Sequence, residues 1–339
     1  MPPERAPPGE APLLSHTMVG SARGLAQSWP AALTRLALAA LALIAVTWRE
    51  WGEMFHQWWN IDTYHHVLLV PLIIIWLVTL KRETVLAVKP QSWWAGVGLV
   101  GAALVLWLAG RISEINLLAH LGAVAALVGS VAAVLGLNAA LLLALPLGYA
   151  IFLVPFGDEI IPPLQSVTAE IAIALTRASG VPARIEGIHI DTPAGLFVVA
   201  EACAGVKFLI AMVALGVLVA FTRFASWRRR AWFLAACVVV PILANGVRAW
   251  GTIYAAQWVG AEAATGLDHL IYGWVFFALV VAALLGGAWR FLEREPESYG
   301  PQLTDLKRIP MRPAPAHPAL VLAAITAMAM AAFAAALAA

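Results

Sequence analysis

Residues 196–222 have the sequence LFVVAEACAGVKFLIAMVALGVLVAFT, an apolar run that contains a glutamate, a cysteine and a lysine near its start. A helix needs about 20 mainly apolar residues to cross the hydrocarbon core of a bilayer, so this run is long enough. Similar runs lie near 30–48, 66–80, 91–110, 115–137, 139–156, 231–258, 267–290 and 318–338. The sequence therefore predicts an all-α, polytopic transmembrane helical bundle with about eight core spans and one C-terminal span.

The composition agrees with a membrane protein. Of the 339 residues, 62% are hydrophobic and 12% are charged, whereas about 25% are charged in an ordinary soluble protein. This excludes a soluble globular protein and makes the lipid bilayer the main surrounding of the chain. The formal net charge is only +2, and the basic residues form short groups instead of one stripe, which argues against a nucleic-acid partner.

The positions of the basic residues predict the orientation. Short cytoplasmic loops carry an excess of Lys and Arg. Four basic groups precede the first span or follow the second, sixth and eighth spans, which places all of them on one side. We therefore expect a multi-pass membrane protein with a cytoplasmic N-terminus. Segments 49–65, 111–114, 157–195 and 259–266 are then outside.

The same scan divides the chain into four parts. Residues 1–29 contain five prolines and little apolar content, which predicts a disordered cytoplasmic tail. Residues 30–295 form the transmembrane core, 296–317 a cytoplasmic linker and 318–339 a C-terminal transmembrane helix. Within the outer segment 157–195, apolar periodicity over 164–175 predicts a short helix along the membrane surface, and alternation over 184–191 predicts a hairpin.

Polar residues inside the apolar spans are the strongest functional candidates. An Arg or Lys at the centre of a span costs about 2.5–3.5 kcal/mol, so such residues usually have a function. The sixth span contains Glu201, Cys203 and Lys207, the seventh contains Asn245 and Arg248, and the eighth begins near His269. Cys203 and Lys207 are four residues apart, which predicts that they share a helix face. Counted along ideal helices, Cys203 lies roughly 10 Å and Arg248 roughly 15 Å below the outer surface.

These residue types together predict acyl transfer. A thiol attacks carbonyl groups as the thiolate, and positive charge from Arg248, Lys207 or protonated His269 lowers its pKa. An imidazole then passes a proton to the leaving amine, and a guanidinium stabilises the oxyanion. Each residue taken alone also has a structural interpretation. Cys203 is then a packing residue, as Cys237 is predicted to be, and Arg248 pairs with Glu201 or Glu262. Asn245 bridges helices, and His269 is a histidine at the membrane interface.

A second polar cluster, Tyr64, His65 and His66, lies where the first outer segment enters the second span. We expect it to line the substrate entrance. Adjacent histidines point to different helix faces, and no Cys-x-x-Cys or His-Glu-x-x-His spacing is present. The sequence therefore predicts no metal and no cofactor.

These motifs resemble those of the exosortases and archaeosortases, which are multispanning membrane transpeptidases. The resemblance covers about residues 45–290 and depends on their order: Tyr64-His65-His66 with Pro71 and Trp76, Pro162-Pro163, Gly180-Val181-Pro182, Glu201-x-Cys203-x-Gly205, Asn245-x-x-Arg248 and His269-x-x-x-Gly273. Ala204 departs from the pattern, since members often have serine there.

The resemblance implies a cysteine peptidase with Cys203 as nucleophile and Arg248 and His269 as its partners. Its substrates would be secreted proteins with a C-terminal sorting tail made of a short motif, a hydrophobic helix and a basic end. The resemblance places the enzyme in the bacterial inner (plasma) membrane, where it would cut at the motif near the outer face and transfer the product to a surface polymer or lipid acceptor.

Two other classes of protein explain some of the same residues. A transporter or flippase would line an anion path with Lys207, Asn245 and Arg248, but it also predicts inverted repeats, and the sequence shows none. An intramembrane serine protease or metalloprotease is disfavoured because neither Gly-x-Ser-x-Gly nor His-Glu-x-x-His occurs.

Overall fold

A computed structural model describes residues 28–261, 264, 269–306 and 316–338, without the side chains of residues 202 and 269–272. Within that part of the chain, seven helices are long and apolar enough to cross a membrane, or eight if one bent helix pair counts as a single span. The prediction of a polytopic helical bundle is confirmed. Nearly all of the predicted N-terminal tail, and residues 307–315 of the predicted linker, lie outside the described residues.

The helices follow the apolar runs of the sequence. They are α1 (Trp29–Val46), α2 (Trp48–Asn60), α3 (Val70–Leu80), α4 (Arg82–Leu86), α5 (Trp94–Ile112), α6 (Asn116–Leu135), α7 (Leu137–Leu142), α8 (Ala144–Tyr149), α9 (Ile161–Ala178), α10 (Val206–Arg223), α11 (Trp227–Val259), α12 (His269–Trp289), α13 (Leu303–Leu306) and α14 (Pro318–Ala338). Short 3-10 segments lie at Asp62–Leu69, Ala150–Leu153, Asp158–Ile160, Glu201–Cys203 and Pro296–Ser298. The helices and turns belong to two compact units.

The first unit comprises Met1–Trp48, Glu83–Leu142 and Gln302–Ala339. Its centre is the antiparallel pair α5 and α6, against which α14 packs. Three glycines let the two backbones touch: a Cβ on Gly96, Gly110 or Gly122 would overlap backbone atoms of the facing helix. Small residues allow helices to approach this closely in a membrane, where van der Waals packing drives association.

The second unit comprises Arg49–Arg82 and Leu143–Pro301 and contains all the candidate site residues. In it α9 and α10 both pack against α11. Between α9 and α10, an antiparallel sheet is formed by β1 (Arg184–Glu186), β2 (His189–Thr192) and β3 (Gly195–Val198), in that order. A helix and a hairpin are present in the outer segment, as expected, and β3 is an additional strand. The position of that helix along the membrane surface stays a prediction.

Two predicted spans differ from the structure. The run 139–156 is not one helix, because it breaks into α7, α8 and a 3-10 turn; the stretch Ala144–Leu153 then meets Asp158–Ala178 at an angle of 68°. The run 196–222 begins as strand β3 and becomes helical only at Val206. Gly205, whose φ of +81° cannot continue a right-handed helix, separates the first part of the run from α10.

The turn between α10 and α11 is held by a carboxylate. Glu293, just after α12, accepts hydrogen bonds from the backbone N–H groups of Ala225 at 2.7 Å and Ser226 at 3.1 Å, and pairs with Arg229 at 2.9 Å. These backbone bonds, and to a smaller extent the neighbouring arginines, hold the pKa of Glu293 below its usual range. The carboxylate therefore lies at the positive end of the α11 dipole.

Candidate active site

Cys203 lies at the end of a short turn that joins the sheet to α10. The turn closes through hydrogen bonds from the Cys203 N–H to the Ala200 carbonyl at 2.8 Å and from the Ala204 N–H to the Glu201 carbonyl at 3.0 Å. Helix α10 begins three residues later, at Val206. Cys203 and Lys207 therefore do not share a helix face, and the prediction that they do is wrong, because the left-handed Gly205 separates them.

The side chain of Asn245, in α11, is hydrogen-bonded to this turn. Its Nδ2 donates to the Cys203 carbonyl at 2.8 Å and to Thr168 Oγ1 at 3.1 Å. The side chain is only 5% exposed. A Cβ on Gly205 would lie 2.8 Å from the Asn245 Cγ. Glycine is thus required at position 205 both by its φ and by the space that the amide occupies.

Helix α9 supports both ends of the segment that carries the cysteine. Gln165 Nε2 donates to the Val199 carbonyl at 2.7 Å, and Thr168 accepts the second hydrogen bond of Asn245. The two α9 residues are three apart, so they lie on one face of the helix. The sequence analysis missed both. Their signal was polar residues at helical spacing on the inner face of α9, a face that also includes the buried Thr176.

Two cations act on the Cys203 thiol. Burial raises its pKa, the Arg248 guanidinium and the Lys207 ammonium oppose that rise, and the net direction is upward. The sequence predicted lowering by these charges, and they do act in that sense, but desolvation outweighs them here. Among the described residues, no carboxylate, Glu201 included, forms an ion pair with Arg248. Glu262, the other partner expected for a structural ion pair, lies outside the described residues.

Arg248 also lies beside the first turns of α12. A Cβ on Gly273 would stand 3.8 Å from an Arg248 Nη atom. His269 is the first residue of α12, one helical turn before Gly273. Its side chain lies outside the described part of the structure. Glu201 is exposed at the start of the Cys203 turn, and the Lys207 ammonium lies 5.3 Å from the centre of the Phe208 ring.

The cluster predicted to line an entrance lies in the turn Asp62–Leu69, which packs against α10. Tyr64 is 2% exposed, and its hydroxyl donates to Asp158 Oδ1 at 2.8 Å. His65 is partly exposed and lies 3.8 Å from Asp62. His66 uses Nδ1 to bond the Thr63 carbonyl at 3.0 Å, and its buried Nε2 has no partner among the described residues.

The remaining chemical candidates occupy other surroundings. Cys237 is fully buried in an apolar cluster with Met212, Ala220, Phe224 and Phe233. Within the described residues, no three His, Cys, Asp or Glu side chains are grouped so that they could hold a metal ion.

Fold and site together define a polytopic helical membrane protein in which a cysteine, held by a buried asparagine, lies beside two cations. Residues 58–286 match the family model described as transmembrane exosortase. This is more than half of the chain, so the protein belongs to the transmembrane exosortase family. The searches of curated proteins and of solved structures each gave no match.

Proposed function

We propose that this protein is a cysteine transpeptidase that removes the C-terminal sorting tail of a secreted protein and transfers the remaining protein to a surface acceptor. The observation that carries the proposal is the placement of Cys203. Its carbonyl is held by Asn245, and its thiol lies under the influence of Arg248 and Lys207. Family membership supports a cysteine transpeptidase in general, and the following assignments of individual residues are part of the proposal.

The reaction has two acyl-transfer steps. The Cys203 thiolate attacks the carbonyl carbon of the scissile bond, and Arg248 stabilises the resulting oxyanion. When the tetrahedral intermediate collapses, the C–N bond breaks, the amine of the tail takes a proton and leaves, and a thioester remains on Cys203. An amine or other nucleophile of the acceptor then attacks the thioester and regenerates the thiol.

The thiolate needs a proton acceptor, because burial raises the pKa of Cys203 in the unliganded protein. His269 is assigned this role, as base toward the thiol and as acid toward the leaving amine. Glu201, Lys207 and Asn245 are supporting groups. Asn245 acts through the backbone of Cys203, so it is a positioning residue.

The length of α11 supports a site close to the membrane surface. The helix has 33 residues, which is about 50 Å at 1.5 Å per residue, whereas the hydrocarbon core measures about 30 Å. Residues 228–230, all arginine, stay outside the core at one end. Counted from there, Arg248 lies near the opposite edge of the core, nearer to the interface than the depth of 15 Å expected from the sequence.

The substrates and location in the proposal are those that the resemblance implies. The substrate's hydrophobic helix lies in the bilayer beside the second unit, and its short motif reaches Cys203 at the outer face of the bacterial inner membrane. The Tyr64, His65 and His66 turn packs against α10, which agrees with a place beside the substrate's path. The acceptor is a surface polymer or lipid.

The test is a coexpression assay in membranes. A secreted substrate with a sorting tail is expressed with wild type, Cys203→Ser, Cys203→Ala or Cys237→Ala at matched abundance. We expect tail removal to be lost in both Cys203 variants and retained in Cys237→Ala, because Cys237 lies in an apolar cluster. Cleavage by Cys203→Ala would overturn the nucleophile assignment and favour the anion-path hypothesis, which needs Arg248 but no thiol.

A further inference from the structure

The outer segment of the second unit forms a cavity of about 670 Å³ that is widely open to the surroundings. It lies between the C-terminal end of α9, the turn at residues 180–183 and the ends of β1 and β2. Its lining residues include two arginines, one aspartate and three apolar residues: Arg177, Arg184, Asp191, Val181, Pro182 and Pro193. None of these residues belongs to the proposed reaction.

The two arginines are available for a ligand. Arg177 Nε donates to the Ala183 carbonyl at 2.9 Å, which orients the guanidinium, and no described residue accepts from its Nη groups. Arg184 lies opposite Asp191 in the β1–β2 ladder. Within the described chain, neither arginine forms an ion pair. Two guanidiniums and one carboxylate give the cavity a net positive charge.

The cavity also lies at a defined level along α11. Trp250 Nε1 donates to Ser179 Oγ at 2.9 Å on one side of it, and Gln257 Nε2 donates to Thr192 Oγ1 at 3.3 Å on the other. About 20 residues cross the hydrocarbon core, so an upright α11 that enters it after residue 230 leaves it near Trp250. The stretch from Trp250 to Gln257 then covers about 10 Å, which is the headgroup layer.

We propose that this cavity binds a phosphate group through Arg177 and Arg184, and that the phosphate belongs to the headgroup of a membrane lipid. Guanidinium groups bind phosphate oxygens through paired hydrogen bonds, which explains two arginines that form no ion pair within the described chain. The apolar wall accommodates the glycerol part of the lipid. Asp191 limits the affinity, because it faces the same anion.

The experiment is calorimetric titration of the full chain in a neutral glycoside detergent. The probes are dihexanoyl phosphatidylglycerol, inorganic phosphate, and dihexanoylglycerol, which lacks the phosphate. We expect saturable binding of the phospholipid, weaker binding of inorganic phosphate and none of the diacylglycerol. Arg184→Gln should weaken phospholipid binding about tenfold or more, and Asp191→Asn should strengthen it.

The control variants distinguish binding at this cavity from a general electrostatic attraction between the protein and an anionic lipid. Arg49→Gln removes one exposed cation of the same unit outside the cavity, and its affinity should equal that of wild type. Arg177→Gln also loses the bond to the Ala183 carbonyl, so Arg184→Gln, which keeps that bond, is the decisive variant. Cys203→Ala should bind as wild type does, which keeps this test independent of the proposed reaction.

Equal phospholipid affinity in wild type, Arg184→Gln and Arg49→Gln would overturn the proposal, and so would the absence of saturable binding to wild type. Inorganic phosphate that binds as tightly as the phospholipid would overturn the lipid as the source of the phosphate.

Discussion

Replacing Asn245 tests whether a buried amide positions the nucleophile. In Asn245→Ala, the Cys203 carbonyl loses the donor that lies 2.8 Å away. Leaving one buried acceptor unsatisfied costs about 1–3 kcal/mol. If that cost falls on the Cys203 turn, the population of the correctly placed turn decreases about 5- to 150-fold. We expect the rate of tail removal to decrease by a factor in that range.

Two further variants should rank on either side of Asn245→Ala in their effect on the rate of tail removal. Thr168→Val removes only the acceptor at 3.1 Å and keeps the bond between Asn245 and Cys203, so its effect should be smaller than that of Asn245→Ala. Asn245→Asp places carboxylate oxygens against the Cys203 carbonyl and adds negative charge near the thiol, which raises its pKa further. Its effect should be larger than that of Asn245→Ala.

The assay combines tail removal with the rate at which iodoacetamide alkylates Cys203 across a pH series, in a Cys237→Ala background. Displacement of the turn changes the alkylation rate at every pH, whereas added charge shifts the midpoint of the pH profile. The matched control is Asn60→Ala, which removes an exposed amide that also donates to a backbone carbonyl, that of His56 at 2.9 Å. The control should cleave as wild type does.

The reasoning would be refuted if Asn245→Ala cleaved within about twofold of wild type at equal abundance with an unchanged alkylation profile. It would also fail if Thr168→Val were more damaging than Asn245→Ala, because the bond to the Cys203 carbonyl would then not be the important one.

Three other perturbations follow from the second unit. In Gly205→Ala, the alanine must adopt a φ of +81°, and its Cβ would lie 2.8 Å from Asn245. The left-handed conformation alone costs alanine about 1–2 kcal/mol, so the rate of tail removal should decrease tenfold or more. Wild-type activity would contradict this prediction. Tyr64→Phe removes the hydroxyl that donates to Asp158 at 2.8 Å, so the Tm should be a few degrees lower than in wild type. An unchanged Tm would show that this hydrogen bond does not stabilise the protein. The pKa of Glu293 is lowered by backbone N–H groups, so its stabilising contribution is present above the usual glutamate range and is lost as the pH falls through the lowered pKa. Tm measured from pH 7 to pH 3 should therefore decrease less in Glu293→Gln than in wild type, and parallel curves would argue against this role.

Much of the fold follows from local properties of the chain. Apolar runs of sufficient length predict the helices α1, α5, α6, α11 and α14, because a bilayer leaves a helix as the main way to satisfy backbone hydrogen bonds. Glycine and proline punctuation at 180–182 and alternation over 184–191 likewise predict the β1–β2 hairpin. The candidate residues Cys203, Asn245 and Arg248 are visible in the sequence because polar groups in apolar runs are costly.

The surroundings of those candidates depend on contacts between segments that are distant in the chain. Hydropathy treats residues 196–222 as one span, because a strand and a helix of apolar residues look alike in composition. The pairing of β3 with β2, and the amide of Asn245 packed against Gly205, convert its first part into a strand and a turn.

The sequence by itself determined a polytopic helical protein with a cysteine and basic residues in its later apolar runs, since these properties are local. Only the tertiary structure decided that Gln165 and Thr168 of α9 support the Cys203 segment through hydrogen bonds, one of them by way of Asn245. Such bonds join residues 34 to 77 positions apart. The geometry of these hydrogen bonds arises when α9 packs against α11. The periodicity of a single segment cannot predict that packing.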